Sequence, residues 1–222
     1  MAEDKKRRRS STRNGNKFHI EHKNPAQKMA WSALELHDVV FLSGPAGVGK
    51  SHLAIAYAIH EVLQGKKSRI VLTRPIVESG ESLGYLPGDF YEKVNPYMAP
   101  LYDCIRRIVG TEGPQRDKIN AAMEVCPLAY MRGRTFDDAV CIFDEAQNGT
   151  MLQIKMFLSR FGENSKIIVT GDPKQSDLFT NSAFSEVMQR LEPVQGISVI
   201  RFSHDSVVRH PLVGKMLERL EE

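Results

Sequence analysis

The chain has 222 residues, 41% of them hydrophobic and 26% charged, with a formal net charge of +3. That length fits one large α/β domain, alone or with a tail, and the apolar fraction suffices for a core. No apolar run approaches the ~18 residues of a transmembrane helix, and the basic N-terminus has no apolar stretch of the kind a secretory leader carries, so no membrane partner is expected.

The charge is unevenly placed. Residues 1–28 hold nine Lys/Arg against three Asp/Glu, a balance of +6 that leaves about −3 for the body. Residues 1–17 lack hydrophobic periodicity and are expected to be a disordered basic tail, with 18–222 as a single domain. The run Lys5-Lys6-Arg7-Arg8-Arg9 suits phosphate backbones through counterion release, and reads equally as a solvated extension. Cys104, Cys126 and Cys141 form no CxxC, which argues against disulfides or a zinc site and for a reducing, cytoplasmic setting, in a bacterial cell or a virus-infected host.

In chain order, Asn24-Pro25 reads as N-cap and first residue of a helix running to about Leu36. A buried strand Val39–Leu42 follows, then a glycine-rich turn and a helix over His52–Ile59, with Gly65 as its C-cap. Ser68–Thr73 is a second strand. Residues 74–128 carry many Pro and Gly and read as functional loops enclosing one short helix, about Asn95 to Val109. Alternation resumes with strand Ala139–Phe143, helix Met151–Phe161, strand Lys166–Thr170, helix Ser182–Leu191, strand Ile197–Phe202 and a closing helix. Strands alternating with helices at this spacing predict an α/β fold with a mainly parallel sheet covered on both faces.

The chemistry sits at strand ends. Gly44-Pro45-Ala46-Gly47-Val48-Gly49-Lys50-Ser51 is a complete Walker A loop between a strand and a helix. Its glycines let backbone N–H groups wrap phosphates, Lys50 reaches the β- and γ-phosphates, and the Ser51 hydroxyl suits Mg²⁺. Asp144-Glu145 ends the third long apolar strand as a Walker B pair, Asp144 for the metal and Glu145 for the attacking water. In Thr170-Gly171-Asp172-Pro173-Lys174-Gln175, Gln175 has the chemistry of a γ-phosphate sensor, although Gly-Asp-Pro also favours an ordinary turn. Gln27 can read an adenine edge through its amide, or sit on a helix surface. Arg209 is the first arginine-finger candidate and Arg201 the second. The nucleotide-binding set is therefore Gln27, Gly44 to Ser51 and His52. Lys50, Glu145, Gln175 and Arg209 are catalytic candidates, and Ser51 and Asp144 the metal candidates, for ATP and Mg²⁺.

These segments together resemble the short form of the PhoH-like ATPases. The likeness rests on NPAQKMAW (24–31), the Walker A loop, the stretch 72–103 from LTRPIVESG to NPYMAPLYD, PLAYMRGRTF (127–136), FDEAQN (143–148), VTGDPKQSDL (169–178) and VVRHPLV (207–213). The resemblance implies a RecA-like core related to the first motor domain of superfamily 1 helicases, ATP hydrolysis, a homo-oligomeric ring (a hexamer) and a role on RNA. It gives Gln27 the adenine, Gln175 the γ-phosphate and Arg209 a neighbouring subunit's ATP. It puts Arg74, Arg132 and Arg134 in nucleic-acid or coupling segments. Single-stranded RNA or DNA is the expected partner. A nucleotide-dependent switch with slow hydrolysis and a small-molecule kinase are the competing readings. Glu145 favours hydrolysis over both.

Overall fold

The computed structural model describes residues 20–75, 90–175 and 183–208. The expected basic tail and the expected closing helix lie outside that set, as does Arg209. Six strands form one sheet in the order β3-β2-β4-β5-β1-β6: β1 (Val39–Ser43), β2 (Arg69–Thr73), β3 (Met123–Val125), β4 (Ala139–Phe143), β5 (Lys166–Gly171) and β6 (Ile197–Arg201). Every pairing is parallel. The helices are α1 (Pro25–Leu36), α2 (Lys50–Leu63), α3 (Phe90–Val109), α4 (Pro114–Ala122), α5 (Met151–Leu158) and α6 (Ala183–Leu191).

Strands β1, β2, β4 and β5 are buried on both faces over most of their length, which is why they read as apolar runs. Successive side chains go to opposite sides. Val40, Leu42, Ile70, Leu72, Val140, Ile142 and Ile168 share a core with α1, α2 and α3. Phe41, Val71, Cys141, Phe143, Ile167 and Val169 share the other with α5 and α6. Cys141 is thus a core residue, and burial pushes its thiol up to about 12.

The helix boundaries follow their caps. The Asn24 side chain accepts from Gln27 N (2.9 Å) and Pro25 opens α1. Gly65 stands one residue past the Gln64 C-cap, at φ 73°, with Gly65 N donating to Val62 O and Lys66 N to Glu61 O. That is a Schellman motif. Thr150 and Gln153 make a reciprocal capping box on α5. The helix stops at Leu158, short of the expected Phe161, because Phe136 N takes the Arg160 carbonyl (3.0 Å) and Phe161 bridges to Phe136.

The largest difference from expectation lies in the middle. Where loops and one short helix were expected, α3 runs for 20 residues and is followed by α4 and β3. Pro96 and Pro100 lie inside α3, and each removes a helical hydrogen bond. The packing of Met98, Leu101 and Ile105 against α2, all at most 2% exposed, offsets that loss. Strand β3 has three residues with Glu124 at its centre, too short and too polar for its pattern to register.

A Cβ at position 65 would meet nothing within 4 Å, so Gly65→Ala isolates backbone strain. It should cost about 1 kcal/mol in urea unfolding while leaving nucleotide binding intact. No loss of stability would show that the turn relaxes away from positive φ.

Candidate functional site

The parallel sheet delivers its polar residues to one edge, where the strand carboxyl ends face a common space. β1 runs into the Walker A loop, β4 into Asp144-Glu145 and β5 into Gly171-Asp172. Neighbouring strands β4-β5-β1 bring these three motifs side by side. Between them lies a cavity of about 470 Å³, of a size that suits a small-molecule ligand. Its walls include Gln27, Lys50, Ser51, His52, Glu145 and Gln175.

The loop is held open by its glycines. Gly44, Gly47 and Gly49 all have positive φ, which L side chains rarely adopt. A Cβ on Gly44 would also lie 2.7 Å from the Phe202 Cβ and carbonyl oxygen. Val48 buries its side chain completely in the core, anchoring the loop between its phosphate-facing amides. Gly49 caps α2 without a side-chain hydrogen bond, so the first N–H groups of the helix point at the cavity. The Lys50 ammonium donates to the carbonyls of Gly44 (2.6 Å) and Pro45 (2.9 Å), lying across its own loop.

Asp144 is 2% exposed. Its Oδ1 accepts from the Ser51 hydroxyl (2.6 Å) and the Thr170 hydroxyl (2.5 Å), and its N–H donates to Thr73 O (2.9 Å). Carboxylate and hydroxyl oxygens are the donors Mg²⁺ prefers. Among the described residues no three His, Cys, Asp or Glu side chains could enclose a metal alone. Ser51 and Asp144 therefore fit an ion that keeps water and shares phosphate oxygens, as Mg²⁺ does.

Glu145 has a left-handed backbone, φ 52° and ψ 43°. For a non-glycine residue this costs roughly 1–2 kcal/mol, and it turns the chain off β4 so that Glu145 lines the cavity. Its Oε2 accepts from Gln147 Nε2 (2.6 Å), and Arg74 stands 3.9 Å from Oε1. Gln147 is the residue the sequence reading missed. It is 3% exposed, and its Oε1 accepts from Asp172 N (3.0 Å). One amide thus ties the Glu145 carboxylate to the end of β5. The signal was its place two residues past the Walker B pair, at a helical turn that points it back toward the sheet edge. A Cβ on Gly171 would come 3.0 Å from Gln147 Oε1 and 2.8 Å from Phe184, so glycine leaves room for the bridge.

Beyond β5, Gln175 N donates to Asp172 O (3.1 Å), a turn that puts Gln175 on the cavity wall. Asp172 Oδ1 accepts from Lys174 N, while its buried Oδ2 has no partner among the described residues. Gln27 is buried, not a surface residue: Nε2 donates to Val48 O (3.0 Å) and Oε1 accepts from Lys23 N (2.9 Å). One N–H and one lone pair of its amide remain for a ligand. The His52 Nδ1 lies 3.6 Å from Cys104 Sγ. Burial, then the fields of Lys23 and Arg107, lower the pKa of His52 and favour neutral imidazole.

The other arginines divide. Arg201 pairs through both amino groups with Glu192 (2.6 and 2.8 Å) on the surface and does not line its own subunit's cavity. Arg134 bonds Glu124 (2.5 Å) and covers the Phe136 ring, a structural placement. Arg74 faces Glu145, and Arg132 is exposed.

With this edge in view, the comparisons decide the family. A profile described as PhoH-like protein matches residues 19–221. The chain belongs to the PhoH-like protein family. It is 46% identical over 213 residues to the PhoH-like protein of Bacillus subtilis (strain 168), covering 95% of this chain and 67% of that one. To Protein PhoH of Escherichia coli (strain K12) it is 41% identical over 200 residues, 88% of this chain and 56% of that one. The chain thus spans a little over half to two thirds of these relatives. The fold is shared with the large terminase from a thermophilic bacteriophage (TM-score 0.60, 12% identity, 90% of this chain and 50% of that one). It is shared too with the Sulfolobus solfataricus SWI2/SNF2 ATPase core (TM-score 0.51, 15% identity, 82% and 45%). This PhoH-like chain is a P-loop NTPase with a RecA-like, all-parallel sheet. Among its described residues no helix is long and apolar enough to cross a membrane.

Gln147→Ala should release the Glu145 carboxylate. Turnover of ATP is expected to fall tenfold or more, roughly the cost of a misplaced catalytic group, with ATP affinity changed by less than about twofold. Equal losses in both would mean that Gln147 shapes the binding cavity instead.

Proposed function

We propose that this PhoH-like chain hydrolyses ATP in a Mg²⁺-dependent reaction, works as a ring of identical subunits, and is stimulated by single-stranded nucleic acid. The observation that carries the first part is the Glu145 carboxylate, set on the cavity wall opposite the Walker A loop by a strained backbone and the Gln147 amide. A switch that only binds nucleotide has no need of that arrangement.

The α2 N–H groups and Lys50 bind the phosphate chain. Glu145 accepts the proton of a water as its oxygen attacks the γ-phosphorus, and the bond to the β-phosphate oxygen breaks, giving ADP and phosphate. Gln175 orients the water or the γ-phosphate. Ser51 and Asp144 would hold Mg²⁺, which would supply positive charge to the phosphate oxygens. Gln27 contributes its free amide positions to the base.

One RecA-like domain leaves an ATP site open to a neighbour, and a head-to-tail interface repeated by rotation closes a ring. In that reading Arg209 acts on the adjoining subunit's ATP and supplies charge in the transition state. Exposed Arg132 offers a contact for a phosphate backbone.

Phosphate release by the full chain, with Mg²⁺-ATP and with or without single-stranded RNA or DNA, tests the whole reading, Lys50→Ala serving as the blank. Turnover should rise with one nucleic acid, and Glu145→Gln should bind ATP while losing roughly 10²–10⁴ in rate. Turnover indifferent to both nucleic acids would make the chain a partner-controlled switch. Mixing Arg209→Ala with Glu145→Gln subunits should restore part of the activity. Val208, one residue earlier, is bound to Gly47 O of its own loop (2.9 Å), so absence of rescue in confirmed mixed rings would place the arginine in its own subunit's site.

A further inference from the structure

Helix α3 comes from the segment read as functional loops, and it reaches the nucleotide cavity. Its buried stripe, Met98, Leu101 and Ile105, packs on α2. The next residues of that turn are registered against the first turn of α2, since Cys104 Sγ sits 3.6 Å from His52 Nδ1. One helical turn beyond Cys104, Arg107 lines the Walker A cavity together with Lys23 and His52. The adjacent cation is engaged elsewhere: Arg106 pairs with Asp103 at 3.3 Å. Arg107 has no hydrogen bond or ion pair among the described residues.

A guanidinium carries five N–H donors in a planar fork, a geometry matched to phosphate oxygens. On the wall of a cavity built around a phosphate-binding loop, an uncommitted arginine is placed to use it. The charged groups on that side are Glu21, Lys23 and Arg107. Lys23 and Arg107 supply the positive charge there.

We propose that Arg107 is a nucleotide-binding residue of its own subunit, whose guanidinium takes the phosphate chain from the α3 side of the cavity. This rests on the reading of the cavity as the ATP site. It also gives α3 a contact that exists only with nucleotide bound, which makes the helix responsive to occupancy of the site.

The test is equilibrium binding of a ribose-labelled fluorescent ATP, displaced by ATP, ADP and adenosine, for the full chain and for Arg107→Ala, Arg107→Lys and Arg106→Ala. Thermal melting confirms that each variant is folded. Arg107→Ala should weaken ATP and ADP about tenfold, the scale of one charge-assisted hydrogen-bonding group. Adenosine should change less than about twofold, Arg107→Lys should recover part of the loss, and Arg106→Ala should match the wild type. Unchanged ATP affinity in folded Arg107→Ala would overturn the assignment, as would equal losses for ATP and adenosine. A wild-type chain that bound no ATP would instead remove the site reading on which the assignment stands.

Discussion

Everything at the functional edge depends on one buried carboxylate. Asp144 accepts the hydroxyls of Ser51 and Thr170 on a single oxygen, and its own N–H holds the end of β2 through Thr73. Three strand ends and the start of α2 are thereby fixed relative to one another. A charge 2% exposed is tolerated in a low-dielectric setting only when hydrogen bonds or a cation compensate it. The two hydroxyls compensate it here, and both are groups that could turn to face a metal-bound water.

A second tie runs around the outside of the Walker A loop. Gln27 holds the Val48 carbonyl, Val208 holds the Gly47 carbonyl, and Asn24 reaches Ser206. The loop is gripped by segments from both ends of the described chain, so its shape depends on the whole domain being assembled. This accounts for Gln27 being buried when composition alone left it equally readable as a surface residue. It also means that Gln27, proposed to read the base, has a structural task, bracing Gly49, where an added Cβ would come 2.9 Å from Gln27 Nε2.

Much of this was legible in the chain. Wherever a strand was buried on both faces it read as an apolar run, and Val39, Lys166 and Ile197 begin strands as expected. The Asn24-Pro25 cap and the Gly65 stop carry local chemistry that needs no tertiary context. The site residues after β1, β4 and β5 were found because a parallel sheet sends strand ends to one edge. What escaped depends on packing. Prolines 96 and 100 argue against a long helix until the Met98, Leu101 and Ile105 stripe is seen against α2. Gln147 and Arg107 are ordinary residues in sequence, and their meaning comes from what they face. Arg201, the second finger candidate, pairs with Glu192, a contact that its sequence neighbours do not announce.

In the reading proposed above, Asp144 joins the Walker A loop to the Mg²⁺ of a bound nucleotide. Isothermal titration of ATP into the full chain, with Mg²⁺ and with Mg²⁺ removed by chelation, tests it most directly when repeated on Asp144→Asn. Mg²⁺ should tighten ATP binding to the wild type, and Asp144→Asn, still folded, should lose that increment while retaining metal-free binding. An equal Mg²⁺ increment in the two proteins would contradict it.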